Sequence, residues 1–384
     1  TMLGTGYDDS GGTNTIYIHN TWDNTYHTMT WGGTYSGMTH YAVAVLQLPI
    51  EPEAAQPDLL IHDGTSYIGG GVYNTTGTSQ SYSRTVARGA TAAYSIKLQN
   101  DGNIADTITV TGPAGNSDWA VQYLDATEED ITADVSGSGY STGSLAAGAE
   151  VTLQVKVTPQ SGAGGATTRD VLLTATSAAD GTKQDAVLAQ TTCAAAYQPD
   201  GLIHNGSAYA GNGVYNNTGT SQSHAQTVAR GAAATYSIKL QNDGNIADTI
   251  TVTGPAGNSD WTLQYLDATA QDITADVTGS GYSTGSMAAG AEVSLQVKVT
   301  PQSGVGGNAT RDVLLMATSA ADGTKRDAVL AQTTCAPAYQ PDALIHNGSA
   351  YVGGGVYNTT GTSQSRAQTV ARGAAATYSI KLQN

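Results

Sequence analysis

The chain has 384 residues, a formal net charge of -16 at pH 7 and a pI near 4.5, so it lacks the basic surface that binding to nucleic acid requires. No run of about 18 apolar residues is present that could insert into a bilayer, and two cysteines are too few for a disulfide scaffold or a cysteine-rich zinc module. The remaining class, rich in glycine and only 12% charged, is typical of proteins that work outside the cell.

Residues 1–49 match no later part of the sequence and form a first unit. Three runs have the composition of strands, and they are Thr1–Tyr7, Thr15–Trp22 and Met38–Leu48. The first residues lack the charged and apolar regions of a signal peptide, and the last residues stop inside a pattern that occurs twice earlier. We therefore expect the chain to be a fragment of a longer protein that is secreted or held at the cell surface.

Part of this first unit resembles the C-terminal end of a papain-like cysteine peptidase of the bacteriocin-processing type. The resemblance is carried by Gly6-Tyr7, by His-Asn-Thr-Trp at 19–22 and by Trp-Gly-Gly at 31–33. It implies that Asn20 orients the catalytic histidine and that Trp22 shields the hydrogen bond between them. It also implies a peptide substrate for the parent enzyme. Residues 1–50 contain no cysteine and the expected histidine would precede Thr1, so we expect this stretch alone to be inactive.

The rest of the chain is a repeat with a step of 142 residues. QPDLLIH at Gln56 returns as QPDGLIH at Gln198 and as QPDALIH at Gln340. A period this long is a whole domain rather than a solenoid unit. Proline in the linkers limits bending, so we expect a semi-rigid string of domains. After a linker at 50–57, the domains are predicted at 58–197 and 198–339, with a truncated copy at 340–384.

Within one copy, apolar and polar residues alternate with the period of β-strands. The predicted strands are Thr91–Gln99, Ile104–Gly112, Trp119–Asp125, Glu150–Val157, Thr168–Thr176 and Lys183–Thr191. Asp-Gly pairs between them supply the positive φ angles of tight hairpins. The sequence therefore predicts a mainly β protein, in which tandem antiparallel β-sandwiches follow a small β fragment of a papain-like α+β domain.

The first part of each copy, residues 59–89 in copy one, is rich in Gly, Asn, Thr and Tyr. It is expected to supply one or two edge strands and a long surface loop. Tyrosine gives rigid amphipathic contact at a low entropic cost, so the candidate ligand surface consists of Tyr67, Tyr73 and Tyr82. Trp119, which opens an alternating strand, is predicted to be a core residue rather than a sugar-stacking platform.

The copies resemble the Ig-like, adhesion-related modules that prokaryotic secreted and cell-surface proteins carry in tandem. The resemblance rests on the pattern over Tyr94–Val110, on the strand with Trp119 and on Leu145–Pro159. It implies spacer or adhesion modules with a cell-surface or matrix partner. Two alternatives remain open, a non-catalytic adhesin or structural array and a set of carbohydrate-binding modules.

We predict no cofactor and no metal for this chain. The spacing of its N-terminal histidines matches no metal motif, and the weak calcium candidate is one loop with Asp101, Asn103 and Asp106. The Asp-Gly of that loop already has a hairpin explanation. Cys193 and Cys335 lie one domain apart, too far to form a disulfide, and are predicted to be small packed residues.

Overall fold

The computed structural model describes residues 3–8, 10, 12, 14–19, 22, 23, 25–39 and 51–384. The chain divides into two compact units, Thr1–Ala54 and Ala55–Asn384. No helix in the described part of the chain is long and apolar enough to cross a membrane.

The first unit contains an antiparallel sheet of three strands in the order β1-β2-β3, followed by a short hairpin. Its strands are β1 (Leu3–Asp8), β2 (Thr15–His19), β3 (Tyr26–Thr30), β4 (Thr34–Tyr35) and β5 (Met38–Thr39). A small core forms where Ile16 and Ile18 pack with Met29. The strand β3 was not predicted from the sequence. The predicted strand Met38–Leu48 lies outside the described residues from position 40 onward.

The first complete copy is a sandwich of two five-stranded sheets. Its elements are β6 (Pro57–His62), β7 (Tyr67–Ile68), β8 (Ser81–Val86), β9 (Ala92–Asn100), β10 (Asp106–Thr111), β11 (Trp119–Leu124), α1 (Thr132–Val135), β12 (Tyr140–Leu145), β13 (Glu150–Pro159), β14 (Thr168–Ser177) and β15 (Gln184–Cys193). One sheet has the order β11-β13-β9-β6-β7 and the other β12-β10-β14-β15-β8. The predicted β-sandwich and its six alternating strands are confirmed.

The second copy repeats these two sheets in the same strand order. Its elements are β16 (Pro199–His204), β17 (Tyr209–Ala210), β18 (Ser223–Val228), β19 (Ala234–Asn242), β20 (Asp248–Thr253), β21 (Trp261–Leu266), α2 (Thr274–Thr278), β22 (Tyr282–Met287), β23 (Glu292–Pro301), β24 (Thr310–Ser319) and β25 (Arg326–Cys335). The third copy forms a three-stranded sheet from β26 (Asp342–His346), β27 (Tyr351–Val352) and β28 (Ile380–Gln383).

The core of each sandwich lies between its two sheets and is filled by every second residue of the strands. In β9, Tyr94, Ile96 and Leu98 are buried, whereas Ser95 and Lys97 between them stay accessible to solvent. This period of two follows from the pleat of a strand, which sends successive side chains to opposite faces. The alternation in the sequence therefore reports directly which face of each sheet is buried.

The tryptophans and cysteines of the repeats belong to this core. Trp119 is 6% exposed and packs in the first core, and its counterpart Trp261 is equally buried in the second. Cys193 and Cys335 are free thiols and fully buried. Both predictions, a core tryptophan and a small packed cysteine, are confirmed.

One strand pair departs from the predicted antiparallel arrangement. β8 runs parallel to β15, with Ser81 beside Leu188 and Val86 beside Cys193. The chain reaches β8 by crossing from β7 in the other sheet over residues 69–80. Because a crossover, unlike a hairpin, can bring a strand back in the same direction, the pair is parallel.

Residues 140–145 were not among the predicted strands, yet they form the edge strand β12. Its glycine and serine residues hide the strand, because an edge strand that faces solvent needs no apolar alternation. The pairing of β12 with β10 shifts register between Thr107 and Thr109, and Gly143 has a φ of 68°. A bulged edge of this kind leaves little trace in the sequence.

The chain enters and leaves each sandwich at opposite ends. At the entry, Pro57 pairs with Asn100. At the exit, Cys193 lies beside Val86, which is close in sequence to Gly89. The Gly89 N–H donates to the carbonyl of Pro159, at the end of β13 that lies opposite to Asn100. Consecutive copies are therefore joined end to end.

Candidate functional site

A buried carboxylate fastens the tyrosine-bearing loop of each complete sandwich. In the first copy, Asp185 accepts hydrogen bonds from the N–H of Leu59 (2.7 Å), the N–H of Asn74 (3.0 Å) and the Nε2 of Gln80 (2.9 Å). Burial raises the pKa of Asp185, whereas these donors favour its charged form. This one side chain links β15 to β6 and to both ends of the loop at 74–80.

A second carboxylate, Asp58, lies beside this network and is only 2% exposed. One of its oxygens accepts from the N–H of Gly71 at 2.9 Å. Burial, together with the nearby Asp101 and Asp185, raises the pKa of Asp58 to about 7. Its other oxygen, Oδ1, has no hydrogen-bond partner in the described part of the chain. When Asp58 is protonated, its O–H can donate a hydrogen bond to the neighbouring carboxylate of Asp101.

The loop held by these carboxylates presents Tyr73 at the surface. The ring is 46% exposed, and its hydroxyl donates to Asp101 Oδ2 at 2.8 Å. Partial burial and this hydrogen bond raise the pKa of Tyr73 to about 12. The tyrosine therefore stays neutral at physiological pH and is fixed at its tip, which gives it the rigidity of a contact residue.

The same arrangement recurs in the second copy. Asp327 accepts from the N–H of Gly201 (2.7 Å), the N–H of Asn216 (2.8 Å) and Gln222 Nε2 (2.9 Å). The Tyr215 hydroxyl again donates to the carboxylate of the turn that follows β19. In the third copy, Asp342 accepts from Gly355 and Gln383. Every copy thus anchors the start of its loop through an aspartate of its first strand or of its last.

The three predicted ligand-binding tyrosines occupy one edge of the first sandwich but make separate contacts. Tyr67 on β7 lies edge-on to His62 and under Lys97, whose Nζ is 4.9 Å from the ring centre. Tyr82 on β8 lies edge-on to the core residue Tyr94, with 6.1 Å between the ring centres. Tyr73 lies on the loop between these strands, so the three rings do not share one contact. Their role in ligand binding stays a prediction.

The residue at the position of Tyr82 differs in chemistry from copy to copy, but in each copy it lies beside the first turn of the domain. His224 occupies it in the second copy and Arg366 in the third, where the guanidinium donates to the His346 carbonyl at 2.8 Å. In the second copy, His204 and His224 line a shallow groove. The copies therefore differ in chemistry at this half-buried edge position.

The predicted peptidase residues belong to the first unit. Asn20 lies outside the described residues. Trp22 is 62% exposed in the described structure. The orienting and shielding roles that the resemblance implies for these two residues stay predictions.

A polar cluster in the same unit was not predicted from the sequence. Asp23 contacts His27 Nε2 at 2.8 and 2.9 Å, and this contact is the main reason that the pKa of Asp23 is lowered to about 2. The Thr25 hydroxyl reaches the same nitrogen at 3.2 Å. A catalytic triad needs the acid and the nucleophile on opposite nitrogens of the imidazole. Here both side chains contact the same nitrogen, so the cluster has the hydrogen-bond pattern of a surface turn. The Asp-x-Thr spacing was its signal in the sequence.

The weak calcium candidate is dispersed in the structure. Asp101 accepts from Tyr73, Asp106 accepts from the N–H of Ala179 at 3.0 Å, and Asn103 lies exposed at the turn. Among the residues that the structure describes, no group of three or more His, Cys, Asp or Glu side chains is arranged to hold a metal ion. The oxygens of this loop thus serve hydrogen bonds to the protein itself.

No family model matches the sequence, and no curated protein matches it either. Among solved structures, the CupB6 tip adhesin of Pseudomonas aeruginosa matches 75% of this chain and 100% of its own, at 9% identity and a TM-score of 0.32. The C-terminal domain of the antigen I/II-family protein AspA of Streptococcus pyogenes matches 73% of this chain and 99% of its own, at 11% identity and a TM-score of 0.22.

The secreted serine protease VesC of Vibrio cholerae matches 67% of this chain, at 10% identity and a TM-score of 0.21. The chain spans half of the length of that protease. Likenesses this distant say nothing about activity, ligand or partner. The assignment of the fold as tandem β-sandwiches rests on the strand order and the core described above.

Proposed function

We propose that the repeats are spacer and adhesion modules of a secreted or cell-surface protein. The observation that carries the proposal is that each sandwich receives the chain at one end, at Pro57, and releases it at the other, at Cys193. A domain joined in this way adds its full length to the array. Duplication of the domain then lengthens the protein without altering the surface that each copy presents.

The reach of one copy follows from its strands. The longest strands, β13, β14 and β15, have ten residues each, and at about 3.3 Å per residue each spans about 33 Å. The turns and the linker add to this length. Each further copy therefore extends the array by roughly 35 Å.

The spacer role is tested by changing the number of copies. A chain with a second insert of residues 198–339, and a matched chain from which 198–339 is deleted, are compared with the parent by small-angle X-ray scattering. We expect the maximum dimension to rise and fall by roughly 35 Å. An inserted copy that thickens the particle without lengthening it would contradict the spacer role.

The adhesive role is assigned to the anchored loops, which repeat with the domain and carry Tyr73, Tyr215 and Tyr357. All three rings are exposed, and rigid exposed tyrosines suit contact with a protein or glycan surface. The full chain is passed over surfaces coated with collagen or with mucin, beside a variant with all three tyrosines changed to Ala. We expect the coated surface to retain the full chain but not the variant. Equal retention of both chains, or retention of neither, would remove the tyrosines from the proposal and leave the spacer role.

The tryptophans do not support the carbohydrate-binding alternative, because Trp119 and Trp261 are core residues and offer no ring to a sugar. The edge tyrosines are the sugar-stacking residues that remain for this alternative. An array of glycans that returns no signal with the full chain would exclude it.

The peptidase-like role of the parent protein is a separate proposal that rests on the sequence resemblance alone. Its test is hydrolysis of a leader peptide by a protein that also carries the sequence preceding Thr1. If Asn20 orients a catalytic histidine, Asn20→Ala lowers kcat while leaving the fold intact. Hydrolysis that is absent from the extended protein, or that is unaffected by Asn20→Ala, would leave this unit as a structural element.

A further inference from the structure

The two complete sandwiches meet at a polar side chain that is fully engaged by the preceding copy. Asn245, in the turn between β19 and β20, donates from its N–H to the Ala196 carbonyl at 2.9 Å and accepts from the Gly165 N–H at 2.7 Å. Its side chain accepts from the Ala196 N–H at 2.7 Å and donates to the Ala194 carbonyl at 2.9 Å. Backbone and side chain of this one residue thus make four hydrogen bonds to the exit end of the first sandwich and its linker.

The two surfaces approach so closely that they require glycine. A Cβ atom on Gly165 would lie 2.4 Å from Asn245 Oδ1 and 3.0 Å from the Cα of Ala195. On the other side, a Cβ on Gly244 would lie 2.4 Å from the Ala196 carbonyl oxygen. Contacts this short cannot form, so the absence of a side chain at both positions is what allows the backbones to touch.

The repeat supplies its own comparison for this contact. The turn Asn-Asp-Gly-Asn occurs at 100–103 and at 242–245, yet Asn103 is exposed whereas Asn245 is 4% exposed. Likewise Gly165 is buried, whereas Gly307, its equivalent in the second copy, is exposed. Gly165 and Asn245 are therefore buried against each other where the exit end of the first sandwich meets the turn of the second.

We propose that the Asn-Asp-Gly-Asn turn is a docking element for the exit end of another copy of the same repeat, and that Asn245 locks two consecutive sandwiches into one stiff body. The partner is thus the neighbouring copy. The turn recognises it through Gly165 and through the carbonyl and N–H groups that follow the last strand. The amide suits this role because it both accepts and donates, whereas an aspartate could not donate to Ala194. The inference deepens the spacer function and rests on it only for its biological purpose.

The test is a distance measurement between the two sandwiches in the full chain. Spin labels are attached at Ala126→Cys and Ala268→Cys, two equivalent exposed turn positions, while the native cysteines are fully buried. Double electron–electron resonance then records the distribution of distances in the parent, in Asn245→Ala and in Gly165→Val. Asn217→Ala is the control, because it makes the same change at an exposed asparagine of the second sandwich.

We expect one narrow distribution in the parent and in Asn217→Ala, and a broad distribution in Asn245→Ala and Gly165→Val with the circular dichroism of both variants unchanged. A broad distribution in the parent, or a narrow one in both junction variants, would overturn the stiff joint. Either result would leave the spacer role intact, because a flexible string still lengthens with each copy. The scattering experiment on copy number judges that role separately.

Discussion

The first and second sandwiches contain the same turn and use its two asparagines differently. The first asparagine does the same work in both, since Asn100 Nδ2 donates to the Ile104 and Leu145 carbonyls and Asn242 Nδ2 donates to the equivalent pair. The last asparagine is exposed in the first copy and buried against a neighbour in the second. The turn therefore keeps the same internal hydrogen bonds in both copies, whereas the burial of its last asparagine differs between them.

The largest effect is expected where the two copies are alike. Asp185→Ala leaves the N–H groups of Leu59 and Asn74 and the amide of Gln80 buried without an acceptor, so the free energy of unfolding of the first sandwich falls by about 3 kcal/mol. Asp327→Ala does the same to the second sandwich. Calorimetry of the full chain should show one transition shifting in each variant.

Asp170→Ala, an exposed change on the strand paired with β15, is the control and should alter stability by less than about 0.5 kcal/mol. If Asp185→Ala and its control behave alike, the carboxylate does not hold the loop.

The next largest loss of stability is expected at the junction between the two copies. Asn245→Ala removes two side-chain hydrogen bonds to the first sandwich, so the second sandwich loses about 1–2 kcal/mol of stability. Asn217→Ala, the same change at an exposed asparagine of the second sandwich, should change stability by less than about 0.5 kcal/mol. Denaturant unfolding of both variants measures the difference, and equal losses would mean that the side chain of Asn245 does not stabilise the junction.

Acid should stabilise both sandwiches together. The folded-state pKa of Asp58 and of Asp200 is about 7, above the unfolded value of 3.8, because both carboxyl groups are buried near other carboxylates. The stabilisation is complete below pH 3.8 and is lost as the pH rises through 7. We therefore expect Tm to rise as the pH is lowered from 8 to 5.

The double variant Asp58→Asn and Asp200→Asn should flatten this dependence, because an amide does not titrate. The oppositely shifted carboxylates Asp130 and Asp272, with pKa values of about 2, titrate below this range. A Tm that falls on acidification from pH 8 to pH 5 would contradict the protonated state of Asp58.

The smallest effect concerns the exposed tyrosines. Tyr73→Phe removes the hydrogen bond to Asp101 and should cost about 0.5–1 kcal/mol. Tyr215→Phe removes its counterpart and should cost the same, because the contact is 2.8 Å in the first copy and 2.7 Å in the second. Thermal unfolding of the two variants measures both losses. Unequal losses would show that the loops of the two copies are not anchored alike.

Much of the fold could be predicted from the sequence, because a strand shows which of its faces is buried through neighbouring residues. The alternation around Tyr94 and the apolar strand opened by Trp119 predicted core strands that the structure confirms. The edge strand β12 and the parallel pairing of β8 were missed, since one carries no apolar period and the other depends on where the chain crosses between sheets.

The candidate site was harder to predict. Tyr73 was predicted to belong to a ligand surface, but its partner Asp101 was considered only as a hairpin residue or a weak calcium candidate, because an acidic turn has the same sequence whether its oxygens face a cation or a tyrosine. Asp185 was not identified at all. Its partner Leu59 lies 126 residues away, and no local pattern links an aspartate on one sheet to an N–H on the other.

The sequence by itself determined the repeat, its length and the buried faces of its strands, because these depend on composition and on spacing along one strand. The tertiary structure alone decided that Asp185 closes a loop, that Asp58 shares its site with Asp101 and that Asn245 joins two domains. Each of these depends on groups that are distant in the chain and meet only after the sheets have packed.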